Sequence, residues 1–140
     1  MDLSDFFGPE PAVVNLRATD RWEAIDELVL NLVSIKKLKS ENRDAISALI
    51  KKRESSMSTG IGFGIGMPHA TTDLVRQVVG IIGRSPKGIQ FEALDGELVN
   101  LVFLFLVPQG EFQKYLHTLA NIARLMHDAQ FRDELRRRFL

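Results

Sequence analysis

Cysteine is absent from the chain. That removes disulfide stapling, a thiol nucleophile and every thiolate metal site, and it accords with a reducing compartment. An excess of either charge is absent too. The 18 Lys and Arg residues balance 18 Asp and Glu, so no overall basic field draws the chain to nucleic acid. The three arginines from Arg136 to Arg138 are local, and near a C-terminus they read as a helix-end cluster favoured by the helix dipole. Long apolar runs are missing as well. Leu101 to Val107 is far shorter than the roughly 20 residues a spanning helix needs. The first residues, Met1-Asp2-Leu3-Ser4-Asp5, lack the basic start of a signal peptide. The expectation is a soluble cytoplasmic protein that neither inserts into a membrane nor binds nucleic acid.

Several site chemistries are also excluded. No Gly-Lys-Ser/Thr follows the glycine-rich stretch, and its spacing is not that of the dinucleotide fingerprint. His69, His117 and His127 are scattered, without His-Glu-x-x-His or similar spacing, so no metal site is expected. No Gly-x-Ser-x-Gly elbow supports a serine hydrolase.

What is present centres on Ser58-Thr59-Gly60-Ile61-Gly62-Phe63-Gly64-Ile65-Gly66-Met67-Pro68-His69. Glycine occupies each even position from 60 to 66, and a bare glycine face lets another group approach the backbone closely. The stretch reads as a loop and then a strand ending near Met67, with His69 just past its edge behind a proline that cannot extend the ladder.

The remaining chain supplies the scaffold. Ala12-Val13-Val14 reads as a first strand. Thr19 and Asp20 are N-cap residues, and Asp20 has Glu23 three positions on. Trp22, Ile25, Leu28, Val29, Leu32 and Val33 then recur at helical spacing to about Ser34; Trp22 is a core anchor on that stripe. A second helix runs from about Asn42 to Glu54 with Ala45, Ile46, Leu49 and Ile50 on one face. Arg53 continues that stripe inward, where a guanidinium needs an anion or a row of carbonyls; the other reading is a stem that snorkels and caps the helix end. Ala70 to Asp73 reads as a turn or loop, Gln77 to Gly83 as a strand, Arg84 to Gly88 as a turn, and Asp95-Gly96 as another turn. Leu98 to Val107 is the central strand, closed by Pro108. Two helices follow, from about Glu111 to His127 and from about Gln130. The order predicts one α/β domain over residues 1–140, a three-layer arrangement of a mixed sheet with helices on both faces.

Chemically, an imidazole stands beside bare backbone, with hydroxyls at Ser58 and Thr59 and a guanidinium at Arg53. Neutral imidazole is nucleophilic near neutral pH, and N–H groups, hydroxyls and arginine are what a transferring phosphoryl group needs around its oxygens. A phosphoryl acceptor and a structural histidine both fit these residues taken alone.

Arg53, Ser58-Thr59-Gly60-Ile61-Gly62, Gly64 and Pro68-His69 together resemble the pattern of enzyme IIA domains of the bacterial phosphoenolpyruvate-dependent phosphotransferase system, in the fructose/mannitol and nitrogen-regulatory class. Gly88-Ile89-x-Phe91, Asp95-Gly96, the strand ending at Val107-Pro108, and His117 extend the resemblance over nearly the whole chain. It implies that His69 carries the phosphoryl group, that His117 orients or hydrogen-bonds it, and that Arg53 stabilises its oxygens. Ser58, Thr59 and Gly60 would line the phosphate site. By itself His117 reads as a half-buried helix-surface histidine, and His127 has no counterpart in the pattern. Phe63, Gly66 and Ala70 depart from the family's usual asparagine, alanine and glycine. Phe63 is expected near the site as an apolar surface for a partner.

The resemblance further implies a phosphohistidine relay with no cofactor, charged by HPr or its nitrogen-branch relative. Downstream it would serve an enzyme IIB, or a transporter or kinase that it regulates. A chain starting at its own Met1, with no attached enzyme IIB, HPr or membrane segment, is expected to be the regulatory kind. The alternatives are an enzyme IIA of a fructose/mannitol-type permease and a binding module whose histidine is never phosphorylated.

Overall fold

The computed structural model describes residues 3–140. Its centre is the apolar run anticipated as a central strand, β6 (Val99–Pro108). Because side chains alternate across a strand, β6 feeds two cores. Val102, Leu104 and Leu106 face one, while Leu101, Phe103, Phe105 and Val107 face the other. An uninterrupted apolar sequence is therefore required, since neither face of this strand meets water.

One edge of β6 pairs antiparallel with β5 (Val79–Ile89), in register from Val79↔Leu106 to Arg84↔Leu101. Beyond β5 lies β1 (Val13–Asn15), parallel to it. The other edge of β6 receives two short strands in succession, both parallel to it. First comes β3 (Ile65–Gly66) at Leu101 and Val102, then β4 (His69–Thr72) at Phe105 to Pro108. β2 (Gly60–Gly62) completes the sheet, antiparallel to β3.

On one face lie α2 (Arg21–Ser34) and α3 (Arg43–Ser56). Asp20 caps α2 as its sequence suggests, its carboxylate accepting the Glu23 backbone N–H at 2.8 Å. Ile25, Leu28, Val29 and Leu32 bury the stripe, and Trp22 packs half-buried against the same core. The opposite face holds α1 (Ser4–Phe7), α4 (Phe112–Leu125) and α5 (Ala129–Phe139). Phe6, Phe7, Ile122, Met126, Leu135 and Phe139 fill that second core. The mixed sheet covered by helices on both faces is thus the architecture the element order predicts. Among the described residues, no helix is long and apolar enough to cross a membrane.

Four local expectations are overturned. The glycine stretch is two short strands and a reversal, because Gly62, Phe63 and Gly64 have φ of 97°, 60° and 78°, a left-handed backbone that cannot continue a strand. Residues 70–72 belong to a strand, because pairing with β6 buries Ala70 and Thr72 on one side while His69 and Thr71 stay partly open. Arg84 to Gly88 does not turn the chain. It lies inside β5, where the register shifts between Arg84 and Ile89, and such an irregularity accommodates Pro86 within a sheet. Finally, Arg53 is exposed. The buried face of α3 runs through Ile46, Ser47, Ile50 and Glu54, so the next residue along, and not Arg53, occupies the inward position.

Phe63 also lies elsewhere than expected. It sits in the β2–β3 reversal against the C-terminal helices, with the Arg132 guanidinium 4.0 Å from its ring centroid and the His127 ring edge-on at 5.6 Å. Arg136 donates to its carbonyl at 2.9 Å, and its own N–H donates to Asp95 at 3.0 Å. The arginine cluster does occupy the last turn of α5, and Arg136 additionally ties that helix to the reversal.

Candidate functional site

His69 is the first residue of β4, the short strand at the sheet's edge. Pro68 precedes it, and the Pro68 carbonyl accepts the Phe105 N–H at 3.2 Å. That bond and the His69↔Phe105 register fix the backbone beneath the imidazole. The ring itself lies flat on the Phe105 ring, with centroids 4.8 Å apart and planes within 2°.

Its Nδ1 lies 2.8 Å from the Met67 carbonyl oxygen. A carbonyl can only accept, so the neutral ring carries its hydrogen on Nδ1 and keeps its lone pair on Nε2. Burial pushes the His69 pKa below its ordinary 6.5; the Met67 carbonyl opposes that shift, and the Arg53 charge adds to it. The sign is simple: a lowered pKa means that the uncharged, nucleophilic ring persists further into acid. A ¹⁵N titration is expected to place the His69 midpoint below 6.5. A midpoint at or above that value would contradict the packing described here.

The imidazole opens on a cleft of about 590 Å³ between the second half of α3 and the edge of β4. Arg53, Ser58, Thr59 and His69 all line it. Arg53 makes no hydrogen bond or ion pair among the described residues, so its guanidinium is available to an anion. Its exposure thus gives it the position that an inward stripe would have denied it.

The donors at residues 58–60 are placed differently. The Ser58 hydroxyl donates to the Phe91 carbonyl at 3.0 Å and accepts the Gly60 N–H at 3.1 Å. The Thr59 N–H and hydroxyl both donate to Glu54, each at 2.8 Å. Glu54 itself is 1% exposed, with Arg21 Nη1 3.7 Å from its carboxylate. Gly60 is required by space, because a Cβ there would meet the Ala93 Cα at 2.9 Å.

His117 stands exposed on α4 and is absent from the cleft lining. The structure therefore brings together His69, Arg53, Ser58 and Thr59, but not His117. Phe63 is likewise outside the cleft; it lines a separate depression with Asp95, Asn100, Arg132 and Arg136. Three contributors were missed from sequence: Phe105, the Met67 carbonyl and Glu54. Phe105 was visible as core, but its stacking partner depends on which strand lies beside β6. Glu54 carried a signal, since it falls four and eight residues after Ile50 and Ile46. No group of three or more His, Asp or Glu side chains suited to a metal occurs among the described residues.

The cleft thus sets an imidazole with its lone pair on Nε2 alongside a guanidinium without a protein partner among the described residues, a pairing that suits a small anionic group.

Comparison with known proteins points the same way. A nitrogen regulatory protein of Bradyrhizobium diazoefficiens is 32% identical over 136 residues, covering 97% of this chain and 87% of the relative. The fructose-specific EIIABC component of Bacillus subtilis is 33% identical over 140 residues, all of this chain but 21% of that protein. Among solved structures, the nitrogen regulatory protein IIA-Ntr of Neisseria meningitidis superposes with a TM-score of 0.77 at 27% identity, over 89% of this chain and 83% of its own. Residues 5–138 match the family described as phosphoenolpyruvate-dependent sugar phosphotransferase system, EIIA 2. The chain belongs to that family.

Proposed function

We propose that this EIIA-type chain is a phosphohistidine relay in which His69 Nε2 accepts a phosphoryl group from an HPr-type phosphocarrier. The observation that carries this reading is the pairing of a carbonyl-fixed tautomer with an unpaired arginine in one cleft. In the transfer the phosphorus–nitrogen bond of the donor's phosphohistidine breaks as the bond to Nε2 forms. The hydrogen stays on Nδ1, donated to the Met67 carbonyl, so no proton has to move in that step. Arg53 meets the charge on the equatorial oxygens, which is the main demand of phosphoryl transfer.

The nitrogen-regulatory role is supported by the similarity to the nitrogen regulatory protein of Bradyrhizobium diazoefficiens and by the TM-score of 0.77 with the IIA-Ntr structure of Neisseria meningitidis. Acting through its phosphorylation state, it would engage a partner such as a transporter or kinase; as a sugar-permease component it would hand the group to an enzyme IIB. A cytoplasmic location accompanies either role.

The test is incubation with phosphoenolpyruvate, enzyme I and each cognate phosphocarrier. An acid-labile phosphate on the chain is expected, and its absence with every donor would refute the relay. His117, lying outside the cleft lining, is assigned to onward transfer. His117→Ala should still accept the group, while transfer to an enzyme IIB falls about tenfold or more, the scale of one lost positioning hydrogen bond. Wild-type behaviour in both half-reactions would remove that assignment.

A further inference from the structure

Glu54 is a carboxylate with almost no solvent and two hydrogen bonds from one residue. Burying such a group is unfavourable unless its oxygens are satisfied, and Thr59 supplies both short bonds. Arg21 contributes a longer contact at 3.7 Å, its guanidinium being shared with Glu92 at 3.2 Å and stacked 4.3 Å from the Trp22 ring centroid. Thr59 also lines the cleft that contains His69. Thr59 thus carries two donors at the edge of that cleft, and both are already committed to the Glu54 carboxylate.

We infer that Glu54 is a positioning residue that competes with the phosphoryl group on His69 for the two Thr59 donors, and so sets how readily that group is passed on. The inference rests on the relay reading above. In the unphosphorylated chain the carboxylate holds the donors. When the group arrives, Thr59 leaves Glu54 to meet the phosphoryl oxygens. The carboxylate's loss of both bonds weakens the phosphorylated state relative to the unphosphorylated one. No covalent bond is involved beyond the exchange of phosphorus–nitrogen bonds; only hydrogen bonds change acceptor.

Three groups face the carboxylate: Arg21 from α2, and Ser58 and Thr59 from the following loop. Burial holds its pKa above the ordinary carboxyl value, against the two Thr59 bonds and the Arg21 charge, which lower it. Surrender of the Thr59 bonds then favours proton uptake by Glu54.

The decisive comparison is wild type against Glu54→Gln, each equilibrated with the same phosphorylated carrier, with both phosphoproteins quantified. The amide keeps an acceptor but loses the charge. The equilibrium should move toward the phosphorylated chain by about tenfold, the difference between a charge-assisted and a neutral hydrogen bond. A simple loop anchor would change forward and reverse rates together and leave that ratio unmoved. With the wild type labelled, an equal or lower ratio in the variant overturns the inference and leaves the relay standing. An unlabelled wild type overturns both. Should the variant not fold, the Glu54 ¹³Cδ resonance of the wild type decides. It should shift toward the protonated position on phosphorylation, and an unchanged resonance overturns the inference.

Discussion

A His69→Gln chain is expected to take up no phosphoryl group from any carrier that labels the wild type, while keeping its fold. Glutamine offers an amide whose nitrogen lone pair is delocalised into the carbonyl, so it cannot attack phosphorus. The strand should survive because its register rests on backbone, with His69 to Thr72 paired to Phe105 through Pro108. What the variant loses structurally is one stacked ring pair and the Nδ1 bond to Met67, together about 1–2 kcal/mol. Two measurements decide the matter: acid-labile phosphate, expected to be zero, and thermal unfolding, expected to fall by only several degrees. Residual labelling of the variant at wild-type stoichiometry would place the acceptor elsewhere.

Phe105→Ala is expected to be the most damaging single core change near the site. Phe105 is fully buried, with ring centroids 4.7 Å from Phe6 and 6.1 Å from Phe7 on one side and His69 on the other. Truncating such a phenylalanine costs about 3–5 kcal/mol, a large part of the stability of a chain this size. Denaturant unfolding should show a lower midpoint at similar slope. The same cavity admits water to the imidazole and relieves the burial that depresses its pKa, so the His69 midpoint should rise toward 6.5. Phe105→Leu, which fills most of the volume, should show both effects in weaker form. Loss of stability with an unmoved His69 midpoint would mean that the stack contributes packing but does not shield the ring.

What the sequence makes legible divides by the range of the interactions. Periodic burial was legible wherever one element faces one core, as in α2, or two, as in β6. The reversal at Gly62-Phe63-Gly64 was not, because alternation of small and apolar residues looks the same whether or not backbone torsions change sign. β4 was hidden for another reason. Four residues with two threonines make a strand only because β6 offers them an edge, and that offer comes from residues more than thirty positions away. Arg53 and Glu54 show how narrow the margin can be. One residue is 100° on a helix, enough to exchange the group in the cleft with the group in the core. The cleft gathers His69, Arg53, Ser58 and Thr59, the candidates that the sequence marks. Where their hydrogen atoms point is not marked there, since that depends on Met67, Phe91 and Glu54 in space.

Phe63 makes positions 63 and 132 interdependent. A left-handed backbone favours asparagine or glycine over an aromatic residue, yet the ring here is held by the Arg132 guanidinium and the His127 edge. Exchanging Phe63 for asparagine eases the torsion and takes the ring from under Arg132, whose Nη1 still donates to the Met126 carbonyl. Exchanging Arg132 instead leaves a strained phenylalanine without its cation. The corner is thus asymmetric: position 63 tolerates change more readily than position 132.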